Sequence, residues 1–384
     1  MRANQTTDLE DAMKLTIERA AFLKALGHVQ SVVERRNTIL ILSNVKLEAG
    51  DNRLRLNATD LDLDMVESVA AEVAIPGATT APAHTLYDIV RKLPEGSQIE
   101  IERGGEDGRL TLVSGRSRFS LACLPPEDYP VMAGGDLPHT FRLAAADLRT
   151  LIDRTRFAIS TEETRYYLNG VYLHVAQRDG VDVLRAVATD GHRLASVEVP
   201  LPEGATGMPG IIVPRKTVNE LCKIIEETTA EIAVSLSETV VRFAFDDAVL
   251  TSKVIDGTFP DYQRVIPTGN DKEMEVDRRQ LAEAVDRVCA ISSDKSRAVK
   301  LSLSDGNLVL SASSPENGTA TEELEVIYSG ENIEIGFNSR YLLDITQQIK
   351  GDNARVVMAD AASPTILREA GDGGALYVLM PMRV

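Results

Sequence analysis

Two places in this 384-residue sequence carry side chains of the kinds and spacings that do chemistry. The first is Asp60-Leu61-Asp62-Leu63-Asp64. Three carboxylates at alternate positions could ligate a metal for a nuclease or phosphatase, or open a calcium loop. The calcium reading fails on spacing. The sixth position must be a Gly that turns the chain sharply and is Met65, and no Glu follows at the twelfth. Strict alternation of acid with Leu predicts instead a strand with a wet acidic face. The second place is Asp190-Gly191-His192-Arg193, where a His that titrates near neutrality stands beside an acid and a cation. Only five His occur, and none belongs to an H-E-x-x-H or nucleophile motif. A G-x-x-x-x-G-K-[ST] loop is also missing, which excludes ATP hydrolysis by that route. Cys123, Cys222 and Cys289 lie far apart with no C-x-x-C pair, so buried thiols are expected rather than a disulfide scaffold or a zinc site. No metal or cofactor is expected.

The elements that must position these residues recur along the chain. Leu15–Phe22, Phe141–Leu148 and Met274–Leu281 each begin with an alternating apolar pair (Leu15/Ile17, Phe141/Leu143, Met274/Val276). Each then changes to helical spacing, with Phe22/Leu26, Leu148/Ile152 and Leu281/Val285. A second block recurs at Thr80–Tyr87, Ile212–Asn219 and Gly336–Leu343. Pro82 and Pro214 suit a helix start, where a missing N–H is harmless, and Asn338 suits an N-cap. Arg53–Ala58, Val183–Ala188 and Leu308–Ala312 alternate like strands at equivalent places. Three sets of markers sharing one period of about 120–130 residues predict an internal repeat. Each repeat reads strand–helix–strands–helix–strands, an α+β domain with two helices on a largely antiparallel sheet. The expected limits are 13–137, 138–271 and 272–384, with seams near Pro130–Pro138 and Pro267–Lys272. Residues 1–12 precede the repeat and are expected to be disordered.

No apolar run reaches the roughly 20 residues of a membrane span, and the N-terminus lacks the apolar core of a secretory signal; a cytoplasmic location is the expectation. The net charge of -17 argues at first against a nucleic-acid partner. It is unevenly spread. The helix segments 18–35, 83–93, 144–157, 215–226, 277–291 and 339–350 hold 16 Lys/Arg against 11 Asp/Glu, leaving 25 and 47 elsewhere. Basic helices on one surface would attract phosphate while the acidic remainder repels it.

Six strings in order resemble the bacterial sliding clamp family, the DNA polymerase III beta subunit. They are Ser114–Leu121 (SGRSRFSL), Arg165–Gly170 (RYYLNG), Ala188–Leu194 (ATDGHRL), Val213–Lys216 (VPRK), Asp256–Tyr262 (DGTFPDY) and Tyr377–Val384 (YVLMPMRV). The resemblance covers Met13 to Val384. It implies a head-to-tail homodimer closing into a ring of six similar domains. Twelve helices would face the hole and the sequence-independent duplex DNA it encircles. It also implies a non-enzymatic processivity factor whose partners are the replicative polymerase, the clamp loader and other proteins with a clamp-binding motif. By motif, the partner-peptide pocket comprises Leu168, Thr189, Gly191, His192, Arg193, Leu194, Pro260, Arg264, Val265, Asn338, Tyr341, Ser363, Pro364, Val378, Leu379, Met380, Pro381 and Met382. Soft Met side chains let one groove accept several peptides. Arg36, Arg91, Arg165, Tyr166, Tyr167, Arg215 and Lys216 would face DNA. Phe119 and Leu121 would meet the other subunit near Ala290 and Ile291; the bland alternative for Phe119 and Leu121 is the core face of a strand.

Three positions depart from the family pattern. Leu40 replaces a usual Pro and affects a turn-to-strand junction. Glu162 replaces a basic or amide residue and would weaken phosphate contact near Tyr166. Ser296 replaces an aromatic at the pocket rim. Two other readings stay in view: a metal-dependent enzyme using Asp60, Asp62 and Asp64, and an acidic peptide-binding scaffold that does not engage DNA.

Overall fold

The computed structural model describes residues 12–104, 108–132, 134–226, 228, 230–292, 297–371 and 374–383. Residues 1–11 of the expected N-terminal extension, and Ser296, lie outside the described residues. Among the described residues six α-helices form: α1 (Arg19–Val32), α2 (Ala83–Lys92), α3 (Ala145–Asp153), α4 (Arg215–Ile225), α5 (Arg278–Cys289) and α6 (Ser339–Gln348). Each starts on the residue after a strand ends. Local chemistry makes that change of direction. The Glu18 carboxylate accepts the Ala21 N–H at 2.8 Å, Asp277 accepts the Gln280 N–H at 2.8 Å, and Asn338 accepts those of Arg340 and Tyr341. Pro82 and Pro214 stand one residue before the helices they introduce, as the last residues of strands, rather than inside them. All six are shorter than the expected segments, α1 and α3 the most: α1 stops at Val32, and α3 gives way to a 3-10 turn at Arg156–Ala158. None of the described helices is long and apolar enough to cross a membrane.

The chain divides into two compact units. One comprises the described residues up to Ala145 with Glu203–Ala205 and Asn219–Val254; the other comprises Ala146–Pro202, Thr206–Val218 and Ile255–Val384. The cut passes through the middle repeat because sheets are shared between neighbouring repeats. In the first unit, an eight-stranded sheet takes four strands from the first repeat and four from the second. They join where Leu63–Ala70 pairs with Ala248–Lys253, Met65 opposite Leu250. In the second unit, the corresponding sheet joins where Arg193–Pro200 pairs with Ala375–Leu379, Leu194 opposite Val378. Each unit has one further sheet, of five strands in the first and four in the second. The named strand pairings are antiparallel, as the repeat pattern predicts.

Helical spacing places the cores. Phe22, Leu26 and Val29 of α1 and Leu86 and Val90 of α2 are buried in the first unit. Leu281, Val285 and Val288 of α5 and Leu342 and Ile345 of α6 are buried in the second. Each such side chain contributes about 1.5–3 kcal/mol on leaving water. These cores hold the sheets on which the candidate site is built.

Candidate functional site: an apolar pocket beside a glycine turn

The turn from strand Val181–Thr189 to strand Arg193–Pro200 is fixed by its own side chains. Asp190 Oδ1 accepts the N–H groups of His192 and Arg193 at 2.9 and 3.0 Å. Thr189 Oγ1 accepts the Gly191 N–H at 3.1 Å and donates to the Arg193 carbonyl at 2.7 Å. Gly191 has φ +88°, a conformation that residues with a Cβ rarely adopt, so the position favours glycine. The other Asp190 oxygen takes Arg193 Nε at 3.1 Å, and Arg193 also donates to Asp344 at 2.5 Å and to the Phe157 carbonyl at 2.6 Å. Its guanidinium lies 4.3 Å from the centre of the Tyr341 ring. The acid and cation that suggested acid–base work are therefore committed to shaping the turn. His192 stacks on Tyr341, ring centroids 6.2 Å apart.

Beside this turn lies a cavity of about 160 Å³. Leu168, Leu194 and Val378 form its buried wall, while Val265 and Met380 stand 46% and 39% exposed at its lip. Thr189, Gly191, His192, Arg193 and Pro260 complete the expected residues that line it. Asp261 and Tyr262 line it too, although the sequence reading left them out.

The other expected pocket residues lie outside this cavity. Arg264 is an exposed partner of Asp261, 2.7 Å away. Asn338 caps α6, and Tyr341, in its first turn, backs the cavity through His192 and Arg193. Ser363 donates to Asp360 at 2.8 Å, and the Pro364 carbonyl accepts from Asn270 at 3.0 Å. Leu379 is fully buried, one strand position from Val378 and so facing the other side of the sheet. Pro381 is half-buried, and the Met382 N–H reaches the Gly336 carbonyl at 2.9 Å. The cavity itself is apolar with a flexible Met at its mouth. Such a site suits apolar side chains presented on a peptide.

The acidic string behaves differently from its prediction. Asp60 and Asp62 sit in a turn, and only Asp64 belongs to strand Leu63–Ala70, so the expected acidic strand face does not form. Alternation misled because Leu61 adopts φ +78°, a left-handed conformation unusual for Leu. The three carboxylates go to different partners. Asp60 accepts the N–H groups of Asp62 and Leu63 at 3.0 and 2.7 Å, Asp62 pairs with Lys253 at 2.9 Å, and Asp64 accepts from Asn57 at 2.9 Å. Burial pushes the Asp64 carboxyl above its ordinary range, against the bond from Asn57 and the charges of Arg55 and Arg242. Among the described residues no group of three such side chains is placed to hold a metal ion.

The expected DNA-facing residues are largely at the surface. In the first unit, Arg36 is exposed and Arg91 pairs with Asp88 at 3.0 Å. In the second, Tyr166 is exposed and meets Tyr167 edge-on at 5.7 Å. Arg215 and Lys216 open α4. Arg165 is gripped by both Glu162 oxygens, at 2.7 and 2.6 Å, and that pairing holds the Glu162 carboxyl below its usual range. Phe119 and Leu121 are half-buried on Ser117–Leu121, the edge strand of the five-stranded sheet. They stand opposite the buried Leu112 and Leu110, on the core face of that sheet, but less covered than those partners. Ala290 caps the C-terminus of α5, followed by a half-buried Ile291. Leu40 begins a 3-10 turn and is 74% exposed.

The described residues thus form a threefold α+β repeat with an apolar pocket beside the Thr189–Arg193 turn. The comparisons with known proteins agree. The N-terminal, central and C-terminal domain models of the DNA polymerase III beta subunit match residues 13–133, 142–261 and 263–383. A beta sliding clamp of Caulobacter vibrioides is 55% identical over 97% of this chain and 100% of its own length. A crystal structure of the Caulobacter crescentus clamp, with PEG bound to a putative beta-motif tethering region, superposes with TM-score 0.95 at 55% identity, covering 98% of this chain and 100% of that one. The clamp of Bartonella birtlesii bound to griselimycin superposes with TM-score 0.94 at 50% identity, covering 97% and 100%. This chain belongs to the DNA polymerase III beta subunit family, the bacterial sliding clamps, which are non-catalytic processivity factors.

Proposed function

We propose that two copies of this chain close head to tail into a ring around duplex DNA. The ring tethers the replicative polymerase, the clamp loader and other clamp-binding-motif proteins through the apolar pocket. One observation carries the pocket assignment: Val265 and Met380 are exposed at the mouth of a cavity walled by Leu168, Leu194 and Val378. An apolar side chain that covers this lip and enters the cavity leaves water and releases the water on the apolar lining, which favours docking there. The same pocket is the expected site for griselimycin, the compound bound by the Bartonella relative. The proposed domains span 13–137, 138–271 and 272–384. Arg36, Arg91, Arg165, Tyr166, Tyr167, Arg215 and Lys216 face the DNA; Phe119 and Leu121 meet the partner's copies of Ala290 and Ile291. The chain works in the cytoplasm.

Encirclement makes retention a matter of topology, and tethering raises the polymerase's local concentration at the primer end. Loaded on nicked circular DNA, the protein should stay bound until the circle is linearised and then slide off. Equal retention on both forms would rule the ring out, as would a monomeric solution mass at micromolar concentration.

A further inference from the structure

Tyr262 is a pocket wall with a polar end. Its ring is 5% exposed among Leu168, Leu194, Phe259 and Val378, yet its hydroxyl must find partners. It finds two. His174 Nε2 lies 3.1 Å from that oxygen, and Arg185 Nη1 donates to it at 3.1 Å. The direction of the His bond follows from its other nitrogen. Nδ1 is 2.9 Å from the Val175 carbonyl, which can only accept, so Nδ1 carries the proton and Nε2 accepts from Tyr262. Arg185 is itself anchored by Glu198, at 3.0 Å from Nε and 2.7 Å from Nη2, and Glu198 also takes Arg178 at 3.0 Å. Tyr172 stacks between His174 and Phe259, with centroids 4.5 and 4.8 Å away.

We infer that Arg185 and His174 are positioning residues of the docking pocket: through the Tyr262 hydroxyl they hold the ring against which an incoming apolar side chain packs. This inference rests on the reading of the cavity as a docking site. Neither residue borders the cavity. Their effect reaches a ligand only by fixing a ring that otherwise rocks about its χ angles. A proton acts on the same chain of bonds. Protonating His174 turns Nε2 into a donor, takes away the acceptor of the Tyr262 hydroxyl, and adds a positive charge beside Arg185. Glu198 is the facing carboxylate, already shared between Arg185 and Arg178, and Tyr172 and Tyr262 are the other titratable neighbours. Burial above all, with Arg185 adding to it, holds the His174 pKa below 6.5, so the neutral network persists at physiological pH.

The test uses the full chain, a fluorescein-labelled clamp-binding-motif peptide read by anisotropy, and griselimycin read by calorimetry. Arg185→Met should bind the peptide about tenfold more weakly and Tyr262→Phe about threefold, with Arg185→Lys between wild type and Arg185→Met. Wild-type affinity should fall as pH drops below about 6.5, and Tyr262→Phe should lose the part of that fall that runs through the hydroxyl His174 holds. The profile separates positioning from a general loss of stability. Wild-type affinity with an unaltered pH profile in Tyr262→Phe would overturn the inference and leave the pocket reading standing. A wild-type protein that binds neither probe would overturn both. Should Arg185→Met fail to fold, Tyr262→Phe, which removes one oxygen, decides alone.

Discussion

The turns at Thr59–Leu63 and Thr189–Arg193 are made of the same bonds. In each, a Thr hydroxyl donates to the carbonyl four residues on, at 2.9 and 2.7 Å, and accepts the N–H two residues on, at 3.1 Å in both. In each, one Asp oxygen collects the next two free N–H groups. Both turns feed a strand that pairs with a neighbouring repeat, Asp64 opposite Thr251 and Leu194 opposite Val378. Beside the first turn lies a cavity of about 470 Å³, beside the second one of about 160 Å³. Their surroundings differ at equivalent positions. Where the second has Leu194 and Val378 in its wall and Val187 in the core behind it, the first has Asp64, Thr251 and Asn57; where the second network has His174, the first has Glu48, paired with Lys46 at 2.8 Å. Tyr262 has its counterpart in Tyr129, whose hydroxyl donates to a backbone carbonyl, that of Asn44, at 3.1 Å. One backbone design yields an apolar pocket or a more polar hollow according to three or four side chains. Geometry supplies the concavity, and desolvation chemistry decides whether an apolar peptide will enter it.

That contrast can be broken by exchange. Leu194→Asp brings the first wall into the second pocket without the Asn57 equivalent that shares Asp64's burden. It should weaken clamp-binding-motif peptide by about a hundredfold, since a carboxylate loses its water when the ligand seats. Anisotropy checks this, with the solution mass as control for folding; tight binding by Leu194→Asp would mean that the wall does not determine affinity. Next in size, Val378→Thr leaves one hydroxyl facing an apolar ligand and should weaken binding about tenfold. The reverse exchange is more demanding. Asn57→Val, Asp64→Leu and Thr251→Val together should give calorimetric titrations with griselimycin a second, weaker site on each chain, while Asp64→Leu alone keeps one. A stoichiometry fixed at one in the triple variant would show that the larger volume of the first hollow matters more than its lining. The smallest effect is on stability. His174 resists the proton that the unfolded chain accepts near 6.5, so its contribution is complete above that pH. It should be lost as pH falls from there through the lower folded value. Thermal melts of wild type and His174→Gln should therefore diverge only across that interval, by a few degrees at most; parallel curves would refute it.

The repeat that underlies this contrast is legible in the sequence, although the contrast itself is not. The repeat was legible because each strand-to-helix step uses local signals, such as the Asn338 cap and the placement of Pro82 and Pro214. The pocket wall was legible as strings in fixed order. Other features were hidden because they depend on which groups fold side by side. Asp60-Leu61-Asp62-Leu63-Asp64 reads as a strand on period two, and only the backbone bonds of Asp60 reveal a turn. Arg193 reads as a cation beside Asp190 and His192, and the sequence does not show that Asp344 and the Phe157 carbonyl also occupy it. Tyr262 escaped for another reason: a Pro followed within three residues by Asp-Tyr occurs at both Pro126–Tyr129 and Pro260–Tyr262, so the motif alone does not say which Tyr walls an apolar cavity. The one signal that could have found it is the neighbouring Val187 and Leu194 in place of Asn57 and Asp64.

The two eight-stranded sheets have a mechanical consequence. Each crosses a repeat boundary on an antiparallel ladder of five residue pairs, Leu63–Glu67 against Ala248–Ser252 and Arg193–Val197 against Ala375–Leu379. Pulling along such strands loads the backbone hydrogen bonds of the ladder together rather than one after another, so the seam behaves as a rivet and not as a hinge. Any bending that the chain undergoes as it works must then be concentrated outside these two sheets.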